Sequence, residues 1–393
     1  MQQFTFAARG RHYTVKTEKF DDPALTMTGF WTYQPSVVLP SPLTGNKFVL
    51  LLNRNRVNGI GQTSGELITA RVSNDPISFG SETTILDNRD VDNICDMIDA
   101  RPIWDGSQWH IYVQAVEGNF SVFPCSSSVN NIYEAVGSSL NPPSTFQWVK
   151  IPGTNHAKVI IAGSGSAGIG EDLQWFNPSP YGLPGFRFMV TFQDWGCSAF
   201  AECNHAIWSY RSQDGITYSF WYGPNPFADP PETAPYLTLA GFSNFRYTWP
   251  DAIFLGSLDA ARKGNPGIGF SSICYEGPPA DHKYQYAKWI GFFNNPSRVP
   301  TTSPQSAEAF QGELEGVSSD SHGPRMFRPK VARNEYGYIP PQSRRGYPRT
   351  WITYLYYTST QININAGDNC DGYSRRYSTN SIGVSRLTIT ERR

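Results

Sequence analysis

The chain has 393 residues, 32 basic against 33 acidic side chains, and a charged fraction of only 17%. That balance excludes nucleic acid or an anionic membrane surface as the main partner, since both need a basic field, and no stretch approaches the roughly 20 apolar residues of a membrane-spanning helix. With 35 Gly, 30 Pro, 24 Phe, 21 Tyr and 11 Trp, the composition reads as many short strands separated by turns rather than as helices.

From the N-terminus, residues 1–17 lack the apolar run of a signal peptide. Two alternating stretches, 4–6 and 12–15, are candidates for a strand that pairs with the far end of the chain. Five segments then share one layout: a polar residue and usually a Pro, a short apolar run, a turn, and an alternating aromatic/aliphatic strand. They begin at Gln34, Arg101, Glu171, Trp249 and Arg328, and their second strands fall at 47–52, 109–113, 186–190, 267–270 and 350–356. A third strand follows at 67–73, 206–212, 286–293 and 382–390, and more weakly at 121–128 in the second unit. In units one and three it runs into Ser73-Asn74-Asp75-Pro76 and Ser212-Gln213-Asp214-Gly215, turns in which the Asp bonds the backbone and Pro or Gly supplies the dihedral angle.

A repeat of about 70 residues holding three or four antiparallel strands is one blade of a propeller. The sequence therefore predicts an all-β, five-bladed β-propeller that occupies 1–393 as a single domain. A Ser/Pro/Thr-rich insertion at about 296–327 carries the one short predicted helix, 306–314. A two-sheet sandwich would also alternate strands and turns, but it gives no reason for five near-equal periods.

Other motifs carry less. The stretch 157–168 matches a strand followed by GxGxxG, yet Pro178 and Pro180 prevent the helix that must follow, and Glu171 and Asp172 would repel phosphate. The six cysteines lack zinc spacing and fit either disulfides or buried thiols; Cys197 and Cys203, six apart in a hairpin-like position, are expected within disulfide reach. Asp87, Asp90, Asp92, Asp96 and Asp99 crowd thirteen residues; a calcium site could use some of them, although a solvated acidic loop explains them as well. Asn119-Phe120-Ser121 is a glycosylation sequon at the frequency chance allows.

In a ring of blades, the residues ahead of the Pro-like position converge on an axial funnel. These are Gln34, Arg101, Glu171, Trp249 and Arg328, with Asp99, Asp172, Trp175 and Asp251 beside them. Aromatic faces stack on sugar rings, and carboxylates and Arg bind hydroxyls, so the set suits carbohydrate. The layout resembles the five-bladed propeller glycoside hydrolases, the arabinanase/β-xylosidase group (family 43) and its invertase-like relatives. That resemblance implies an Asp base in blade one, a pKa-tuning Asp in blade two and a Glu acid in blade three. Glu171 matches the third position; Gln34 departs from the first, and Arg101, with Asp99 two residues earlier, from the second.

Glycoside hydrolysis needs two carboxyl groups, one to protonate the leaving oxygen and one to activate water or attack carbon. The expected catalytic set is Glu171 with Asp99 or Asp251, and the expected substrate-binding set is Gln34, Arg101, Asp172, Trp175, Trp249 and Arg328. The implied partner is an oligo- or polysaccharide, at an extracellular or cell-surface location, with no cofactor beyond a calcium ion that the acidic run could hold. Gln34 and Arg101 also fit an alternative, a non-catalytic binding or structural propeller for adhesion or surface assembly. Residues 212–218 resemble the Asp-box turn of sialidases, one residue short.

Overall fold

The structure is a computed structural model. It describes residues 2–8, 11–20, 22–28, 32–55, 66–119, 130–162, 175–183, 186–195, 204–214, 216–220, 244–255, 267–276, 285–293, 325–342, 348–360 and 379–392. The described elements are strands and two 3-10 turns. Strands β1 (Gln2–Ala8), β2 (Arg11–Lys19) and β3 (Leu25–Thr28) come first. β4 (Thr32–Val38), β5 (Phe48–Asn55), β6 (Glu66–Ser73) and β7 (Thr83–Asp87) form one antiparallel sheet in chain order. In the second sheet β8 (Ile94–Trp104), β9 (Trp109–Glu117) and β10 (Asn130–Gly137) run in order, and β11 (Gln147–Trp148) and β12 (Val159–Ile161) both pair with β10. The third sheet is β13 (Trp175–Leu183), β14 (Phe186–Trp195), β15 (Asn204–Ser212) and β16 (Ser219–Phe220).

The fourth sheet runs β17 (Asn244–Leu255), β18 (Gly267–Glu276), β19 (Gln285–Phe293). The last stretch holds β20 (Arg325–Val331), β21 (Tyr338–Ile339), β22 (Arg349–Thr360) and β23 (Thr379–Arg392). β21 joins β17 in parallel. The fifth sheet has the order β1-β2-β23-β22-β20, so the N-terminal strand 11–19 pairs with the last strand of the chain. The first strands of the five sheets are neighbours in a closed cycle: β4 beside β8, β8 beside β13, β13 beside β17, β17 beside β20, and β20 beside β4.

Burial on both faces explains the apolar runs. Along β5, Phe48, Leu50 and Leu52 enter a core shared with Ala332, Tyr356, Ile382 and Val384 of the fifth sheet. Val49 and Leu51 enter a different core with Met97, Trp109 and Ile111 of the second. A strand between two neighbouring sheets reads as a continuous hydrophobic run rather than an alternation, which is why 48–52 is Phe-Val-Leu-Leu-Leu. The repeated Ser-x-Asp turns are equivalent in detail. Asp75 Oδ1 accepts the N–H groups of Ile77 and Ser78, and Asp214 Oδ1 accepts those of Ile216 and Thr217. Each turn carries an aromatic ring that docks edge-on to a tyrosine of the adjacent sheet, Phe79 on Tyr356 and Tyr218 on Tyr112.

Every first strand is bulged at one matching place. The ladder skips two residues between Tyr33 and Ser36, Ile98 and Arg101, Phe176 and Ser179, Thr248 and Asp251, and Phe327 and Lys330. The skipped pairs are Gln34-Pro35, Asp99-Ala100, Asn177-Pro178, Trp249-Pro250 and Arg328-Pro329. Proline has no N–H to give a ladder, so within a strand it belongs at a bulge.

This corrects the expected strand starts. The strands holding Gln34, Arg101, Trp249 and Arg328 begin earlier, at Thr32, Ile94, Asn244 and Arg325, because the bulge interrupts the ladder without ending the strand. In the third sheet the matching position is Asn177-Pro178, six residues after Glu171, and in the second it is Asp99-Ala100 rather than Arg101-Pro102. The third strand of the second sheet is 130–137, not 121–128, which lies outside the described residues together with the predicted helix at 306–314.

Candidate functional site

The bulge of β8 holds Asp99 at φ 59°, a left-handed conformation that a non-glycine residue rarely takes. Asn53 of β5 secures it from the neighbouring sheet. Its Oδ1 accepts the Asp99 N–H at 2.9 Å and its Nδ2 donates to the Met97 carbonyl at 2.7 Å. The amide of Asn53 thus satisfies two buried backbone groups of β8, one of them in the bulge itself, as a fully buried backbone group requires.

Three first strands meet at this point. Lys330 Nζ of β20 donates to Asp99 Oδ2 at 3.1 Å. Arg101 Nε lies 3.8 Å from Asp99 Oδ1, and Arg101 Nη1 donates to Ser36 Oγ of β4 at 3.3 Å. Asp99 and Lys330 are fully buried and Arg101 and Ser36 nearly so. Charges of both signs gathered in low dielectric attract strongly, and each offsets the desolvation of the other. Ser36, Arg101 and Lys330 share one register, the first paired residue after the bulge; Ser179 and Asp251 hold that same register in β13 and β17.

The structure therefore brings Asp99 and Arg101 together. It places Gln34 and Arg328 on the same strands two residues before Ser36 and Lys330, and it places Trp175, Trp249 and Asp251 on the first strands β13 and β17. Glu171 and Asp172 lie outside the described residues, as do Cys197 and Cys203. Ser36, Asn53 and Lys330 went unread in the sequence, although Ser36 and Lys330 carried a signal: each is the polar residue directly after the strand proline.

A second buried polar group sits beyond the axis. His110 of β9 is flanked by Asp105 Oδ2, 2.8 Å from Nε2, and by Glu134 of β10 at Nδ1. Burial raises the Asp105 carboxyl, but the Gln108 and Ser107 N–H groups and the His110 ring outweigh it and hold the group well below the usual carboxylate range. The acidic run upstream is dispersed rather than convergent. Asp87 accepts the Arg89 N–H at 2.9 Å, Asp92 accepts from Asn155 at 3.0 Å, and Lys150 donates to the Asp90 carbonyl at 3.1 Å. Among the described residues no three His, Cys, Asp or Glu side chains gather closely enough to hold a metal ion. Cys95 is disulfide-bonded.

No protein-family model matches the chain, and no curated protein matches it. Solved structures do. A structure described as a glycoside hydrolase aligns with TM-score 0.57 at 13% identity, covering 95% of this chain and 92% of that one. Zg3597, a family 117 glycoside hydrolase from the marine bacterium Zobellia galactanivorans, aligns with TM-score 0.53 at 9% identity, over 95% and 90% of the two chains. A GH62 hydrolase in complex with xylotriose aligns with TM-score 0.52 at 9% identity, over 93% and 95%. At such identities the likeness establishes fold alone: an all-β, propeller-type fold shared with glycoside hydrolases.

Proposed function

We propose that the five sheets are the five blades of one β-propeller and that the chain engages oligo- or polysaccharide at its axis, outside the cell or at a cell surface. The observation that carries this reading is the buried Asp99–Arg101–Lys330–Ser36 cluster, contributed by three neighbouring first strands of a fold shared with glycoside hydrolases. A closed cycle of first strands supports the blade count, and the Cys95 disulfide supports the location, because disulfides persist in oxidising compartments.

As an enzyme of the family 43 and invertase-like type, it would use Glu171 as general acid and Asp99 or Asp251 as the second carboxylate. Gln34, Arg101, Asp172, Trp175, Trp249 and Arg328 would line the sugar site. The non-catalytic reading has an observation of its own: at the bulges Gln34, Asn177, Trp249 and Arg328 stand where a carboxylate would be wanted, and the one carboxylate there, Asp99, already faces two cations. A glycan array run beside an aryl-glycoside panel separates the readings. For the enzyme, Glu171→Gln should lower turnover roughly 10²–10⁴-fold while sugar binding survives. Sugar binding without turnover on any glycoside selects the binding protein, and neither binding nor turnover overturns both.

A further inference from the structure

We propose that β1 is a dimerisation edge: a second copy of this chain lays its own β1 antiparallel to the first, across a twofold axis at Thr5, and joins the two fifth sheets edge to edge.

β1 is the outermost strand of the order β1-β2-β23-β22-β20, and among the described residues its one neighbour is β2. Alternate residues of an antiparallel edge strand direct their N–H and C=O groups away from the sheet, and that row is a template for another strand. Proteins blunt such edges with charge, proline, bulges or a very short strand. β1 has none of these. Gln2-Gln3-Phe4-Thr5-Phe6-Ala7-Ala8 is seven residues long, uncharged and without proline, and its ladder with β2 runs from Gln2 opposite Thr17 to Ala8 opposite Arg11 with no shift of register. Gln3 and Thr5 are exposed.

The order of residues in the strand selects a copy of itself as the occupant. Only a twofold through the middle residue keeps all seven positions paired, and that residue is Thr5. It sets Thr5 opposite the partner's Thr5 and Phe4 opposite the partner's Phe6. Thr–Thr and aromatic–aromatic pairs are among the favourable cross-strand pairs, and no like charges meet within the paired strands. Phe4 and Phe6 hold the register positions opposite Val15 and Tyr13, both buried, so the apolar row of β2 continues through β1 into the second copy. A strand that pairs with its own copy in this way makes an isologous contact, which closes as a dimer rather than growing into a fibre.

Size sets the strength. Seven residues span roughly 23 Å, and one shared edge of that length falls short of the roughly 1,200 Å² at which standard interfaces begin. The dimer is therefore concentration dependent. Three strands lie between β1 and β20 of the axial cycle, a separation of about 19 Å at ordinary strand spacing, so pairing at the rim leaves the axial cluster of each copy untouched.

The test is sedimentation velocity on the full chain from about 10 µM to about 1 mM, the range of weak association, with Thr5→Lys and Thr5→Glu run alone and as an equimolar mixture. The parent should move from monomer toward dimer mass as concentration rises. Each variant alone sets like charges opposite each other at the twofold and should weaken dimerisation about tenfold. The mixture brings opposite charges together there and should associate at least as well as the parent. Thr5 is exposed, so neither change should shift the melting temperature of the dilute protein. A parent that stays monomeric throughout would overturn the proposal, as would single variants that dimerise like the parent or a loss of association that mixing does not restore.

Discussion

Asn53 shows how much a single buried amide controls at the axis. Its side chain accepts the Asp99 N–H and donates to the Met97 carbonyl, and all three groups lie in the interior. Asn53→Ala strands one buried donor and one buried acceptor, each worth about 1–3 kcal/mol when left unmade. The expected loss of stability is about 2–5 kcal/mol, read from the urea midpoint at unchanged slope. The effect should be smaller in an Asp99→Gly background, because glycine adopts φ 59° without the steric penalty that Asn53 helps to hold. Equal losses in both backgrounds would argue against a role in restraining the bulge.

At the level of elements, close packing of strands on rings sets the tolerances. A Cβ added at Gly383 of β23 would overlap the ring of Tyr357, its partner across the β22–β23 ladder. Gly383→Ala should therefore destabilise by about 1–3 kcal/mol through overpacking, and a second change, Tyr357→Ala, should make the glycine substitution nearly silent. Thermal unfolding of the four corners of this cycle gives the answer directly.

The Ser-x-Asp turns respond to acid. The Thr217 N–H foremost, joined by the Ile216 N–H and the Ser212 hydroxyl, holds the Asp214 carboxyl well below the ordinary carboxylate range against burial, which opposes them and ranks second among the influences. A depressed folded-state value means that the turn's contribution is present above the unfolded value near pH 4 and is lost as pH falls through the folded one. Melting temperatures between pH 5 and pH 2 should fall less steeply for Asp214→Ala than for the parent chain, from a lower starting point at neutral pH. Parallel curves would show that Asp214 contributes nothing to the acid limb.

The whole molecule depends on a seam between its two ends. β2 pairs along its length with β23, and Glu391 of β23, fully buried, meets Arg11 of β2 at 2.8 Å and Arg349 of β22 at 3.7 Å. Tyr13 sits in that seam, buried and packed toward Trp351, and its hydroxyl is pushed up to about 12 by burial and by the neighbouring Glu391. A raised folded-state value gives stability that is full below pH 10 and lost as pH rises through about 12. Tyr133 shifts to the same range by burial, so the seam is isolated by difference. Tyr13→Phe should lose less stability than the parent between pH 10 and pH 12, and the gap should show in probes of the terminal strands. An unchanged alkaline slope would place the titration elsewhere.

Sequence alone determined most of the strands, because these rest on local chemistry. The apolar run 48–52 and the Asp turns at 75 and 214 follow from propensity, turn residues and repeat period, while for the strand that meets the chain's end the sequence offered both 4–6 and 12–15, and the structure selects β2, which holds 12–15. Of the axis, Asp99 and Arg101 were legible as polar residues beside a repeated proline. What tertiary structure decided was register. Two skipped residues in each first strand, the second of them proline in every sheet but the second, shift every later side chain to a new place on the ladder, so the matching axial residues are Ser36, Arg101 and Lys330, with Ser36 and Lys330 in place of Gln34 and Arg328. A bulge leaves no unambiguous local mark, since it is fixed by the partner strand and by groups such as Asn53, 46 residues from the Asp99 it holds. Lys330 reaches Asp99 across 231 residues of chain. Such a contact exists only once the last sheet has closed against the first.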